Sequence, residues 1–175
     1  MRRARDRQID GHLRAVAAFE HNGVAARLGD ALKYSGLDIL VPLAVEVLEP
    51  RAPAGSIFVP VPRAWSRLVR YGVDPARLIA AELARRTNGQ VVHGLRREIH
   101  TPRRAGSNRD QVKWVFRPRL RLKRDYVLVD DVLTTGRTAL AAAQALLPAR
   151  AEFVMTATSA HQVSSLFVPV AGGHQ

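Results

Sequence analysis

The sequence contains no cysteine. Disulfide bridges, thiolate zinc sites and a cysteine nucleophile are therefore excluded. Long apolar runs are also lacking, because the longest, residues 37–48, is interrupted by Asp38, Pro42 and Glu46 and is too short to span a bilayer. The arginine-rich start lacks the apolar segment of a signal peptide. These absences predict a cytoplasmic protein with no membrane partner.

Acidic residues are scarce relative to basic ones, and the 175-residue chain carries a net charge of +12. Residues 96–124 hold eleven Lys or Arg residues and only two acids. Such a region attracts polyanions, including nucleic acid, and it also fits a solvated surface. Trp114 and Phe116 interleave with its basic residues, as in grooves for single-stranded nucleic acid. The same alternation fits the two faces of a β-strand, which is the interpretation we favour.

The length suits one domain with its own hydrophobic core. Residues 9–17 and 24–32 keep helical spacing, and residues 37–49 form a third helical stretch with Pro42 inside it. We therefore predict a helical N-terminal region over residues 1–50, hood-like or packed against the core. The core is expected over residues 51–160, followed by a weakly determined tail over residues 161–175.

Beyond residue 50, short apolar runs rich in β-branched residues alternate with helical segments. Strands are predicted at residues 57–61, 90–93, 125–129 and 152–158, and helices at residues 74–88 and 139–147. The Asp74-Pro75 pair is a favourable helix start, since the carboxylate can cap free amides and proline suits the first position. Alternating strands and helices predict an α/β fold with a mainly parallel central sheet flanked by helices.

One strand-to-helix junction, residues 127–139, carries more chemistry than a turn requires. A buried strand ends in the adjacent acids Asp130 and Asp131, and a short loop then opens onto a helix. The polar loop consists of Thr134, Thr135, Gly136, Arg137 and Thr138. Ligands of open α/β sheets bind beyond the carboxyl ends of strands, where hydroxyls and the free amides of a helix suit a phosphate monoester.

The two acids repel a phosphate but suit its neighbour. Carboxylates accept hydrogen bonds from vicinal hydroxyls, and their hard oxygens attract magnesium with its water shell. A phosphate site beside a diol site describes a 5-phosphoribosyl group. The alternative is an ordinary strand-to-helix turn, in which Asp, Thr and Gly are common.

This segment closely resembles the signature of type I phosphoribosyltransferases, and the wider chain is similar to the competence-associated ComF family. The supporting stretches are ALKYSG (residues 31–36), VPVPRAWSRLVRYG (residues 59–72) and TPRRAGSNRDQ (residues 101–111). The resemblance implies a type I phosphoribosyltransferase-like fold and a homodimer. It also implies transfer of phosphoribose from Mg²⁺-bound 5-phosphoribosyl-1-pyrophosphate (PRPP) to a nucleobase or amine, with release of pyrophosphate. The zinc finger with which ComF-like proteins usually begin is missing.

By position, the resemblance assigns the ribose hydroxyls to Asp130 and Asp131, which would also hold Mg²⁺ through water or substrate. It assigns the 5-phosphate to residues 134–138 and a closing loop to residues 101–111. The pyrophosphate would contact Val61, Pro62, Arg63, Arg103, Arg104 and Arg109. No general base is evident. Two other functions stay open: a PRPP-sensing protein without catalysis, and a single-stranded nucleic-acid-binding protein linked to DNA uptake.

Overall fold

The structure is a computed structural model, and it describes residues 2–9, 13–21, 37–63, 74–98 and 115–160. Within these residues the chain forms eight strands, three α-helices and a 3₁₀ turn. The strands are β1 (Arg7–Gln8), β2 (Arg14–Glu20), β3 (Ile57–Pro60), β4 (Gln90–Val91), β5 (Leu95–Glu98), β6 (Val115–Pro118), β7 (Tyr126–Leu133) and β8 (Ala151–Ser159). The helical elements are α1 (Leu37–Leu48), the 3₁₀ turn (Glu49–Arg51), α2 (Pro75–Thr87) and α3 (Arg137–Ala145).

Six of these strands form one sheet in the order β1-β2-β8-β7-β3-β4. β1 runs antiparallel to β2, and the other four pairings are parallel. β5 and β6 form a separate antiparallel ribbon. The predicted α/β class with a mainly parallel sheet is therefore confirmed.

The sheet is covered on both faces. Apolar residues of α1 and α2, such as Leu40 and Ile79, pack on one face together with Val127 and Val129. Residues of α3 and the β5–β6 ribbon pack on the other face, against alternate residues such as Leu128. Burial on both sides explains why the central strands are almost continuously apolar.

The chain reverses direction across the sheet between β3 and β7. From β3 it passes through α2 to β4 on one side, and from β7 it passes through α3 to β8 on the other. β3 and β7 are themselves hydrogen-bonded neighbours, with Val59 beside Leu128. In open parallel sheets such a switch point leaves a crevice beyond the carboxyl ends of the two strands, where ligands bind. We call this space the switch crevice.

The helical prediction for the N-terminal region is wrong over residues 14–20. This segment is strand β2, which pairs in parallel with β8. Its residues from Ala15 to Phe19 are all buried. A short apolar strand that is buried on both faces cannot be distinguished from a buried helix by the spacing of its apolar residues alone. Residues 24–32 lie outside the described residues, as does the tail over residues 161–175. The third stretch is a helix, α1, with Pro42 inside it as expected.

The acids Asp130 and Asp131 do not follow their strand as predicted. β7 continues to Leu133, because β8 extends to Ser159 and supplies hydrogen-bonding partners along its whole length. Asp130 lies beside Thr156, and Val132 lies beside Thr158. Both acids are therefore built into the last half of the strand and do not belong to the loop.

Candidate functional site

Two chain segments meet at the switch crevice. Residues 61–63 leave β3 there, and the Val61 amide donates to the Val129 carbonyl at 2.8 Å, which places them directly beside the acids of β7. Val61 is buried, whereas Pro62 and Arg63 are partly exposed. Three sequence-predicted site residues that follow β3 and both acids of β7 are thus brought together.

Asp130 and Asp131 differ in their surroundings. Asp130 is 9% exposed and accepts a hydrogen bond from the Asp131 amide at 2.8 Å. Burial, and then the neighbouring Asp131 charge, raise the pKa of Asp130 well above its ordinary value. Asp131 is more accessible, and its Oδ1 accepts from the Val132 amide at 2.9 Å.

Arg63 favours the ionised form of Asp131. Burial alone would raise the pKa of Asp131, but the hydrogen bond and charge of Arg63 outweigh burial and hold that pKa below its ordinary value. The Arg63 guanidinium donates to Asp131 Oδ2 in a partly buried ion pair. The arginine predicted to meet a pyrophosphate is therefore paired with the acid predicted to meet the ribose.

Asp74 is a third carboxylate at this crevice, and sequence reasoning did not place it there. It occupies the position before helix α2, as predicted, but its side chain makes no capping hydrogen bond. It is 5% exposed, and its Oδ1 has no partner within the described part of the chain. Oδ2 lies 3.5 Å from Arg77 Nε. Burial raises the pKa of Asp74, against the charges of Arg77 and Arg63, and the charge of Asp131 adds to the rise.

We call residues 134–138 the threonine loop. Thr134 and Thr135 are exposed and Thr138 is partly exposed. Over the described residues, the hydroxyls of Thr134 and Thr138 have no hydrogen-bond partner, while Thr135 Oγ1 accepts weakly from the Arg137 amide at 3.4 Å. The loop leads directly into α3, whose first amides have no intrahelical acceptor. It therefore presents free donors at a helix start, an arrangement that favours anions.

Gly136 is required by the loop for two reasons. Its φ of +82° is a left-handed conformation that other residues adopt at a cost. A Cβ at this position would also collide with the Ile9 side chain, whose Cγ1 would lie at 3.3 Å and whose Cγ2 would lie closer than real Cβ contacts allow. The space that a side chain at position 136 would need is therefore filled by Ile9.

The N-terminal segment thus supports the threonine loop. No local signal in the sequence indicated this long-range contact. Besides Ile9, Arg7 donates to the carbonyl of Thr134 and, at 3.0 Å, to that of Ala160. These carbonyls follow the ends of β7 and β8. The Arg7 guanidinium therefore links the chain segments that follow β7 and β8.

Several sequence-predicted residues lie outside the described residues. They are Trp114 and the three remaining pyrophosphate candidates, Arg103, Arg104 and Arg109. The proposed closing loop over residues 101–111 lies there too. Phe116 is described, and it is 7% exposed, in the cluster beneath α3.

The acids offer few ligands to a metal ion. Within the described ranges, no three His, Asp or Glu side chains converge in a manner that would hold one. Asp131 is paired with Arg63, and the raised pKa of Asp130 favours its neutral form. Any contact of the acid pair with Mg²⁺ would therefore run through water or through a substrate's own oxygens.

The described helices include none with the length and apolar character needed to cross a membrane. Comparison of the sequence with models of known protein families gives no match, and comparison with characterised proteins gives none either.

Proposed function

We propose that the chain binds Mg²⁺–PRPP in the switch crevice and transfers its phosphoribosyl group to a nucleobase or amine, with release of pyrophosphate. This would make it a type I phosphoribosyltransferase similar to the ComF family. The observation that carries the proposal is that one crevice holds both an acid pair on β7 and a threonine loop opening onto α3. A phosphorylated pentose needs both, since its phosphate requires donors and its hydroxyls require acceptors.

The 5-phosphate would bind to the threonine loop. The hydroxyls of Thr134 and Thr138 have no partners among the described residues and are free to donate, and the Arg137 amide at the start of α3 makes only a long bond to Thr135 Oγ1. Each charge-assisted hydrogen bond would contribute roughly 1.5–3 kcal/mol net. Arg137 is exposed at the first position of the helix and adds positive charge.

The ribose hydroxyls would donate to the acid pair, with unequal roles for its members. Asp131 is the more accessible acid and Arg63 favours its ionised form, so it would be the principal acceptor. Asp130 would be protonated, and its Oδ1 would hold the Asp131 backbone in place by accepting from the Asp131 amide. Mg²⁺, when bound with the substrate, supplies positive charge to the pyrophosphate oxygens.

The transfer breaks the bond between ribose C1 and pyrophosphate as the acceptor nitrogen forms its bond to C1. Negative charge grows on the leaving pyrophosphate, and a cation placed in advance stabilises it. Arg63 is the described cation nearest to the acids, and its planar guanidinium matches phosphate oxygens. Exclusion of water prevents hydrolysis of the reactive centre.

Titration calorimetry of PRPP with Mg²⁺ tests the site. Wild-type protein should bind, and the double variant Asp130→Asn/Asp131→Asn should lose at least tenfold in affinity, the equivalent of about 1.4 kcal/mol. Glu152→Gln is the matched control, because Glu152 is an exposed acid at the opposite end of β8. Unchanged binding by the double variant refutes the assignment.

Catalysis is tested separately by pyrophosphate release over a panel of nucleobases and amines. Release with one acceptor, abolished in the double variant, supports the transferase. Tight binding with no release over the whole panel favours a PRPP-sensing protein without turnover.

A nucleic-acid-binding function is a second candidate, favoured by one observation. The exposed cations Arg119, Arg121, Lys123 and Arg124 have no ion pair among the described residues. Phe116 is buried, so this run would contact phosphates and would not stack bases on that ring. Binding to oligonucleotides should fall steeply with salt and weaken when these four residues are replaced by Gln, whereas a flat salt response excludes this function.

A further inference from the structure

Both carboxylate oxygens of Asp131 already have protein donors. Oδ1 accepts from the Val132 amide at 2.9 Å, and Oδ2 accepts from the Arg63 guanidinium. The first bond is fixed by the backbone of β7. The second comes from a side chain beyond the end of β3, so it is the one that can be released. Each oxygen can accept a second hydrogen bond, but the Arg63 guanidinium competes with a ribose hydroxyl for Oδ2 and offsets its negative charge. A ribose hydroxyl therefore binds Asp131 most strongly when Arg63 leaves.

No other described acid can take the place of Asp131. Asp130 is 9% exposed and its Oδ1 is engaged by the Asp131 amide. Asp74 is 5% exposed and lies at the start of α2. Binding of the sugar therefore depends on the state of the Arg63–Asp131 pair.

A pyrophosphate group is the part of PRPP that can draw Arg63 away. It carries more negative charge than one carboxylate, and guanidinium groups bind phosphate oxygens through two parallel hydrogen bonds. The chain is anchored two residues before Arg63, because the Val61 amide donates to the Val129 carbonyl in the neighbouring strand. The long Arg63 side chain can therefore turn its guanidinium to a new partner within the crevice without displacing β3.

We propose, on the basis of the proposed function, that Arg63 is a latch that makes binding of the sugar phosphate conditional on its pyrophosphate. Without pyrophosphate, Arg63 occupies Asp131 and competes with the ribose hydroxyls. With pyrophosphate, Arg63 exchanges one anion for another and releases Asp131. The latch discriminates PRPP from pentose phosphates that lack the leaving group, such as ribose 5-phosphate.

The variant Arg63→Gln should change the affinities for two probes in opposite directions. In titration calorimetry with Mg²⁺, PRPP should bind about tenfold more weakly because a charged hydrogen bond is lost. Ribose 5-phosphate should bind about fivefold more tightly, because competition from the ion pair is removed. Arg85→Gln is the control, since Arg85 lies on α2 in an exposed pair with Glu82, and it should change neither affinity.

The outcomes separate the latch from the proposed function. If the wild type binds PRPP but Arg63→Gln weakens both probes, Arg63 is an ordinary cationic contact and the latch is refuted. If the wild type does not bind PRPP, the proposed function fails and the latch fails with it. Arg63→Lys guards against misfolding of the glutamine variant. It should shift both affinities in the same directions by smaller factors, and equal weakening of both by a folded Arg63→Lys variant also refutes the latch.

Discussion

On the β3 side of the switch crevice, acids are buried or partly buried and one of them is paired with an arginine, whereas on the α3 side threonine hydroxyls are exposed or partly exposed and two of them have no described partner. Arg63 and Asp131 form an ion pair beside the buried acids Asp74 and Asp130. The threonine loop instead presents hydroxyls with no described partner. The α3 side can therefore accept an anion as it stands, and the β3 side must exchange partners first.

The difference has a structural cause. The acids lie within strand β7, where neighbouring strands and α2 surround them. The threonine loop lies beyond the ends of β7 and β8 and is supported from one side by Arg7 and Ile9. Substitutions on the α3 side should consequently change binding affinity without changing protein stability. Substitutions on the β3 side should change both together.

The largest expected effect concerns the support of the threonine loop. Gly136→Ala should lower the free energy of unfolding by about 2–4 kcal/mol, because it adds left-handed strain to a collision with Ile9. Chemical denaturation measures the loss. Gly55→Ala is the matched control, since Gly55 has a φ of +70° and no atom within 4 Å of its Cβ position, so it should lose only about 1–2 kcal/mol.

The variant Ile9→Ala should relieve part of the Gly136→Ala loss in the double mutant, because the collision partner is removed. Equal losses at Gly55 and Gly136, with no relief from Ile9→Ala, would show that the N-terminal segment does not support the loop.

The next effect separates the two acids. Asp131→Asn should weaken PRPP binding by about 10- to 100-fold, because it removes the ionised acceptor. Asp130→Asn should weaken it by less than about threefold, because the asparagine amide resembles the protonated acid that the raised pKa of Asp130 favours. Calorimetry on the two single variants makes the comparison, and equal losses would contradict the unequal roles.

The same pair predicts a dependence of stability on pH. The folded-state pKa of Asp130 lies above its unfolded value of about 3.9, so the folded state binds more protons than the unfolded state. The contribution of Asp130 to the free energy of unfolding therefore falls as the pH rises from about 4. Asp130→Asn removes that dependence. The variant should match the wild type near pH 4 and become more stable than it at higher pH, by about 1–2 kcal/mol.

Urea denaturation of both proteins between pH 4 and pH 9 measures this difference. The effect of pH on the contribution of Asp131 has the opposite sign, because its folded-state pKa is lowered. The stabilisation by Asp131 is lost as the pH falls below the ordinary pKa of an aspartate. It is present in both proteins, so it cancels in the comparison to a first approximation. A difference that stays constant with pH would mean that Asp130 is ionised in the folded protein.

The sequence predicts the α3 side better than the β3 side, for a physical reason. Strand, loop and helix are contiguous from Tyr126 to Ala145, so local signals suffice to place the threonine loop. Asp74 instead reaches the acids through the packing of α2, and the capping role that its local sequence suggested is not formed. Likewise, β2 is a strand because β8 pairs with it, and a partner more than a hundred residues away leaves no local mark.

The smallest expected effect on stability lies in the threonine loop itself. Thr138 is partly exposed and its hydroxyl has no partner among the described residues, so Thr138→Val should change the free energy of unfolding by less than about 0.5 kcal/mol. Its affinity for PRPP should nevertheless fall about three- to tenfold, because one donor to the phosphate is lost.

Thr87→Val is the contrasting control, since the Thr87 hydroxyl donates to the Leu83 carbonyl at 2.8 Å and lies at the end of α2. Removing it should cost about 0.5–1.5 kcal/mol of stability without changing affinity. If Thr138→Val instead lowers stability and leaves PRPP binding intact, its hydroxyl serves the fold, and the α3 side is not the prepared anion site that its free donors indicate.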